Sequence, residues 1–171
     1  LNGVEGSGKT HVSIAIKTLI EENESDLSFT RVVPEDISQE NEFSTFIAEL
    51  ENQQQKKVVF IDDVWKEKRI SHVLRKLNEN IENILVITSW DPEQLYYKGE
   101  EIRRSFPQAD EIYLEPFDSE QTETLIYKVI DFVSEGESKK EVSNEFISEI
   151  KKNSQGVPGL AIKLFEQSIK K

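Results

Sequence analysis

Short unbroken apolar runs alternate in this chain with stretches whose apolar residues recur every three or four positions. Val12, Ile16, Leu19 and Ile20 have helical spacing and predict a helix over 9–20. Residues 27–33 alternate weakly, are β-branched near their end and stop at Pro34, which predicts a strand. Phe43, Phe46, Ile47 and Leu50 mark an amphipathic helix that gives way to the polar stretch 51–57. The apolar runs 58–61 and 84–87 end in Asp62-Asp63 and Thr88-Ser89, and both read as buried parallel strands. Between them, Ile70, Val73, Leu74 and Leu77 predict a crossover helix. A last short strand is expected at 112–114 and a hinge at Glu115-Pro116. Helices follow over 122–133, 142–150 and 160–169, interrupted by the turn signal Gly156-Val157-Pro158-Gly159.

Strands alternating with helices imply an α/β fold with a mostly parallel sheet, and the helical end implies a lid. The expected organisation is a parallel-sheet core in three αβα layers over 1–115 and a C-terminal helical lid over 116–171. A chain of 171 residues can bury one sizeable core and a small appendage. The net charge of −12 argues against a nucleic-acid clamp, because phosphate backbones demand a basic surface, so no direct nucleic-acid binding is expected from this segment. The absence of cysteine excludes disulfides and fits a cytoplasmic setting. No apolar run approaches the roughly 20 residues of a membrane span. With no methionine and an opening Leu1-Asn2-Gly3, the chain is expected to be a piece of a longer protein.

Chemistry enters at Gly3-Val4-Glu5-Gly6-Ser7-Gly8-Lys9-Thr10, which fits the G-x-x-x-x-G-K-[ST] pattern in full. The glycines let the backbone bend with its N–H groups inward, forming an anion nest at a helix N-terminus whose dipole also favours phosphate. Lys9 is expected to reach the β and γ phosphates of ATP, and the Thr10 hydroxyl to coordinate Mg²⁺. An ordinary glycine turn before a helix is the alternative, but chance gives only on the order of 0.005 such matches in a chain of this length and composition. His11, directly after Thr10, is placed with these residues as a nucleotide-contact candidate. As metal ligands, neither His11 nor His72 has a partner at suitable spacing.

Asp62 and Asp63 lie where a buried strand surfaces, at the carboxyl edge on which open α/β sheets bind ligands. Asp62 is the expected second Mg²⁺ ligand, and Asp63 the base or the residue that orients the attacking water. The bland reading makes Asp63 a helix cap.

Four apolar residues followed by Asp62-Asp63-Val64-Trp65 resemble the Walker B segment of NB-ARC and related STAND ATPases, just as 3–10 matches a Walker A loop. Those proteins are P-loop NTPases that act as nucleotide-operated signalling switches. The resemblance implies a polar sensor at Thr88, within Ile84-Leu85-Val86-Ile87-Thr88-Ser89, although Trp90 stands where the family often has arginine. Gly156-Val157-Pro158-Gly159-Leu160-Ala161 is similar to the family's G-x-P motif, which implies that Pro158 touches the adenine. Trp65 and Trp90 read as packing residues.

A second resemblance, to the arginine-finger region of AAA+ ATPases and archaeal replication initiators, is carried by Ile102-Arg103-Arg104-Ser105-Phe106 ahead of 112–117. It implies that Arg104, or Arg103 in its place, reaches the nucleotide of a neighbouring subunit. A solvated basic patch offsetting Glu100, Glu101 and Asp110 is the alternative. No arginine follows the turn at Gly156, so the second sensor of many AAA+ proteins is missing.

The favoured expectation is an ATP-binding and slowly ATP-hydrolysing switch of STAND type, with ATP or ADP and Mg²⁺ docked between core and lid. Its effector and sensor modules are expected in flanking sequence. The alternatives are an AAA+ module of archaeal replication-initiator or loader type, self-oligomerising through Arg104, or a nucleotide-binding module without significant hydrolysis. ATP rather than GTP follows from the resemblance, and no N-K-x-D motif is present.

Overall fold

The structure, a computed structural model, describes residues 1–23, 26–37, 39–51, 56–66, 70–80, 83–94, 100, 103–104, 109–134 and 142–169. They form two compact units, one of residues 1–4 and 9–113 and the other of residues 5–8 and 114–171.

The first unit is the expected α/β layer structure. Its elements are α1 (Lys9–Asn23), β1 (Leu27–Val32), a 3₁₀ turn (Pro34–Ile37), α2 (Glu40–Glu51), β2 (Lys56–Ile61), a second 3₁₀ turn (Val64–Lys66), α3 (Ile70–Asn80) and β3 (Ile84–Thr88). The strands pair in parallel in the order β1-β2-β3, with Val32 opposite Ile61 and Ile61 opposite Thr88. Asn2 bridges in parallel to Trp90 on one side and Tyr113 on the other. The Asn2 N–H donates to Ile112 O at 2.7 Å, and the Gly3 N–H donates to Trp90 O at 3.1 Å. The expected strand at 112–114 is therefore present as a single bridge at Tyr113. Chain order and spatial order reverse at Asn2, since β1 lies farthest away and β3 beside it. Open α/β sheets bind ligands at such a switch point.

Unbroken apolar sequence makes β2 the central strand, because side chains alternate between faces and both faces here need covering. Val59, Phe60 and Ile61 are fully buried. Val59 and Ile61 pack in a cluster with Val32, Phe43, Leu50, Val73, Leu74, Leu77 and Trp90, whereas Phe60 meets Phe29 with ring centroids 6.5 Å apart. Each such burial contributes about 1.5–3 kcal/mol. Lys57 breaks the apolar pattern, yet it is 2 % exposed. Its ammonium caps the C-terminus of α2 by donating to Leu50 O at 3.0 Å. In α1 the buried line is Lys9, Ser13 and Ile20 rather than the apolar stripe, and Leu19 is 60 % exposed. Periodicity counted on apolar residues found Ile20 and the half-buried Val12 and Ile16 but not Lys9 and Ser13, because these two are polar.

The second unit is helical. α4 (Ser119–Val133) starts from Asp118 in a reciprocal capping box with Gln121. α5 (Asn144–Ser154) starts from Ser143, two residues later than the apolar spacing implied, because the Ser143 side chain accepts the Phe146 N–H as an N-cap. Gln155 (φ 50°) and Gly156 (φ 79°) then turn the chain in left-handed geometry into α6 (Pro158–Ile169). Gly156 is required there, since a Cβ on it would lie 2.2 Å from Phe117 O. Ile126, Ile130, Ile147, Ile150, Ala161 and Phe165 form this unit's core.

Candidate phosphate-binding site

The glycine-rich stretch bends as its composition requires. Gly6 (φ 80°) and Gly8 (φ 99°) occupy left-handed conformations that cost an L side chain roughly 1–2 kcal/mol. A Cβ on Gly8 would meet nothing within 4 Å, so open space lies on that side of the backbone. Ser7 Oγ, just before it, is buried with no hydrogen-bond partner. Open space at Gly8, in a loop that starts a helix, fits an anion with acceptor oxygens. Val4, Glu5 and Gly6 are exposed, Gly3 is buried, and His11 is exposed at the start of α1.

Lys9 opens α1 and is 7 % exposed, with its Nζ donating to Gly3 O at 2.7 Å and Val4 O at 3.1 Å. An ammonium parked on its own loop's carbonyls can exchange them for phosphate oxygens. The next residue faces the acidic strand end, because Thr10 Oγ1 donates to Asp62 Oδ2 at 3.0 Å.

Asp62, directly after β2, is 6 % exposed and accepts from three elements. Besides Thr10, Arg31 Nη2 of β1 lies 2.5 Å from Oδ2, and Ser89 Oγ, just after β3, donates to Oδ1 at 2.6 Å. Burial raises the carboxyl's pKa, but the hydrogen bonds from Ser89, Arg31 and Thr10 and the charge of Arg31 outweigh it and hold Asp62 below the usual carboxylate range. Asp62 is thus ionised at neutral pH. Ser89, fully buried, also accepts the Asp63 N–H at 2.8 Å and so ties the two acidic residues together. Asp63 has φ 47° and pairs with Lys66 at 2.6 Å, where its carboxylate is partly exposed. Thr10 and Asp62 are the residues that could hold a divalent cation. One hydroxyl and one carboxylate suit Mg²⁺, which keeps several waters and takes further ligands from phosphate. Among the described residues no group of three or more His, Asp or Glu side chains could form a cage without it.

Other expected residues stand apart from this cluster. Thr88 Oγ1 accepts from Trp90 Nε1 at 2.9 Å, and it is Ser89 that reaches Asp62. Trp90 is 3 % exposed within the core. Arg104 is 81 % exposed on its side chain and pairs with Glu100 at 3.2 Å. Arg103 is engaged with Glu111 at 2.7 Å, and Glu111 also accepts from the Tyr113 hydroxyl and Asn2. Ile102, Ser105 and Phe106 lie outside the described residues. Pro158 is the first residue of α6, and its neighbour Gly159 donates its N–H to Gly6 O at 2.9 Å, within the second unit. Sequence reasoning missed Arg31 and Ser89. A strand-end hydroxyl was the available signal for Ser89, whereas Arg31 showed only as a cation in a strand.

No protein-family model matches the chain, and no curated protein matches it in sequence. Solved structures do match its fold. The Orc1 protein of Aeropyrum pernix in complex with DNA superposes with a TM-score of 0.67 at 10 % identity, over 99 % of this chain and 54 % of that one. Hsp104 in its closed state with ATPγS and casein gives 0.71 at 14 % identity, over 95 % of this chain and 33 % of that one. PCH-2 of C. elegans gives 0.65 at 13 % identity, over 98 % and 54 %. The chain spans about half the length of Orc1 and PCH-2 and a third of Hsp104. What these proteins share with this chain is the fold, an α/β unit with a parallel sheet and a helical unit after it.

Proposed function

We propose that this chain is the ATP-binding and ATP-hydrolysing module of a larger AAA+-related protein. The observation that carries the reading is the Thr10–Asp62 hydrogen bond of 3.0 Å beside a buried Lys9, which joins the phosphate loop to an ionised strand-end carboxylate. Residues 4–10 wrap the phosphates with their N–H groups and the Ser7 hydroxyl. Lys9 leaves the Gly3 and Val4 carbonyls for the β and γ oxygens. Thr10 and Asp62 would hold Mg²⁺, which would supply positive charge beside the phosphates. Asp63 orients the attacking water or takes its proton, and Ser89 keeps the Asp62-Asp63 backbone in place for that task. Residues 116–171 serve as the lid.

Self-assembly through Arg104 is part of this reading, because the side chain is exposed and its ion pair with Glu100 is a solvated one that a partner's phosphate could displace. A STAND-type switch is the second reading, favoured by the Gly6–Gly159 hydrogen bond, through which the helical segment would read the state of the loop.

Fluorescent-ATP titration and steady-state hydrolysis by the full-length protein test the proposal. Lys9→Ala should abolish binding, and Asp63→Asn should lower kcat by about 100- to 10,000-fold with affinity retained. Normal ATP affinity in Lys9→Ala would sink the nucleotide reading. Hydrolysis that rises with protein concentration and disappears in Arg104→Ala separates the assembly from the STAND-type switch.

A further inference from the structure

Arg31 belongs to neither the phosphate loop nor the acidic strand end, yet it makes the shortest contact to Asp62. Its Nη2 lies 2.5 Å from Oδ2, the same oxygen that accepts the Thr10 hydroxyl at 3.0 Å. Oδ1 is taken by Ser89 at 2.6 Å. A divalent cation on Asp62 therefore meets a guanidinium already there, and two cations at one carboxylate oxygen repel each other. The Arg31 side chain is 40 % exposed, so it has solvent on one side. Arg31 also lines an open cavity of about 480 Å³ beside β1 and α2, whose lining includes Asp36, Glu42 and Glu49.

We propose that Arg31 is a built-in competitor for the metal site. It holds Asp62 while nucleotide is absent and moves toward the acidic groove when the metal arrives on nucleotide. Its presence raises the metal concentration needed to load the site and keeps a buried carboxylate paired when the site is empty. The inference rests on the nucleotide reading above.

Mn²⁺ binding to the full-length protein with ADP, followed by electron paramagnetic resonance, tests it, with ADP affinity measured separately in EDTA. Arg31→Gln keeps an N–H donor for Asp62 but removes the charge. It should lower the Mn²⁺ half-saturation about tenfold, equivalent to about 1.4 kcal/mol, and leave ADP affinity in EDTA unchanged. Arg31→Lys keeps the charge and should stay near the unmodified protein. Combining Asp36→Asn, Glu42→Gln and Glu49→Gln should weaken Mn²⁺ binding severalfold, because the displaced cation loses its alternative partners. Mn²⁺ binding that is unchanged or weaker in Arg31→Gln, with ADP still bound, overturns the inference alone. Failure of the unmodified protein to bind ADP at all overturns the nucleotide reading, and this inference with it.

Discussion

Gly159→Ala sets two effects against each other, and the structure decides their sign. Gly159 is the second residue of α6 and its φ is not positive, so alanine fits the backbone and gains at most about 1 kcal/mol of helix propensity. Against that gain, a Cβ there would lie 2.9 Å from Gly6 Cα and 3.1 Å from Gly6 O. The first distance is about 0.6 Å inside the roughly 3.5 Å at which carbon atoms begin to attract. The obstructing atoms are backbone, so they cannot rotate away. Overpacking of this kind costs about 1–3 kcal/mol. The loop can relieve it only by moving Gly6, which strains the Gly159 N–H to Gly6 O bond of 2.9 Å. We expect a net stability loss of about 1–2 kcal/mol in urea unfolding, and a fluorescent-ATP affinity about tenfold weaker because the loop is displaced. Leu160→Ala, at a position 39 % exposed, is the control and should leave both readings nearly unchanged. A Gly159→Ala protein that is more stable than its parent and binds nucleotide equally well would refute the reasoning, because helix propensity would then act unopposed.

Two further substitutions probe the core of the site and its edge. Ser89→Ala removes the donor to Asp62 Oδ1 and strands the half-buried Asp63 N–H, so unfolding should become easier by about 1–3 kcal/mol and acid unfolding should begin at higher pH. Glu111→Gln addresses pH dependence: hydrogen bonds from Arg103 and Tyr113 lower the Glu111 carboxyl to about 2 from an ordinary 4.5. Its contribution is therefore fully present above about pH 4.5 and lost as pH falls toward about 2. The stability gap between Glu111→Gln and its parent should be under about 1 kcal/mol at pH 7, given solvent screening, and should close on acidification. A gap independent of pH would show that packing rather than charge is responsible.

Legibility in the sequence followed the strength of the physical constraint. The run 58–61 was legible as a buried strand, with Val59, Phe60 and Ile61 fully buried, whereas the like run 84–87 forms a strand at which Leu85 is 58 % exposed. The loop 3–10 was legible because its glycines answer a backbone demand, met at Gly6 and Gly8 by positive φ. Ser89 was not legible as the partner of Asp62, because strand alternation and the turn after β3 decide which hydroxyl faces that carboxylate. Arg31 was illegible for a related reason. It is 31 positions from Asp62, and only the parallel pairing of β1 with β2 makes them neighbours.

Register is what assembles the cluster. Val32, Ile61 and Thr88 lie side by side across three parallel strands, so the chain leaves all three at one level. The Asp62 N–H bonds to Val32 O, and the Ser89 N–H bonds to Ile61 O, both at 3.0 Å, which carries the ladder one residue past the assigned strands. A carboxylate after the middle strand is then flanked by residues from both neighbouring strands, here Arg31 and Ser89. The residue that begins the loop is held at the same edge, because Gly3 bonds to Trp90. A one-residue slip of β1 against β2 would turn Arg31 to the opposite face of the sheet and leave Asp62 buried without a cation. The pairing register of the outer strand is therefore part of the site's electrostatics as well as of the fold.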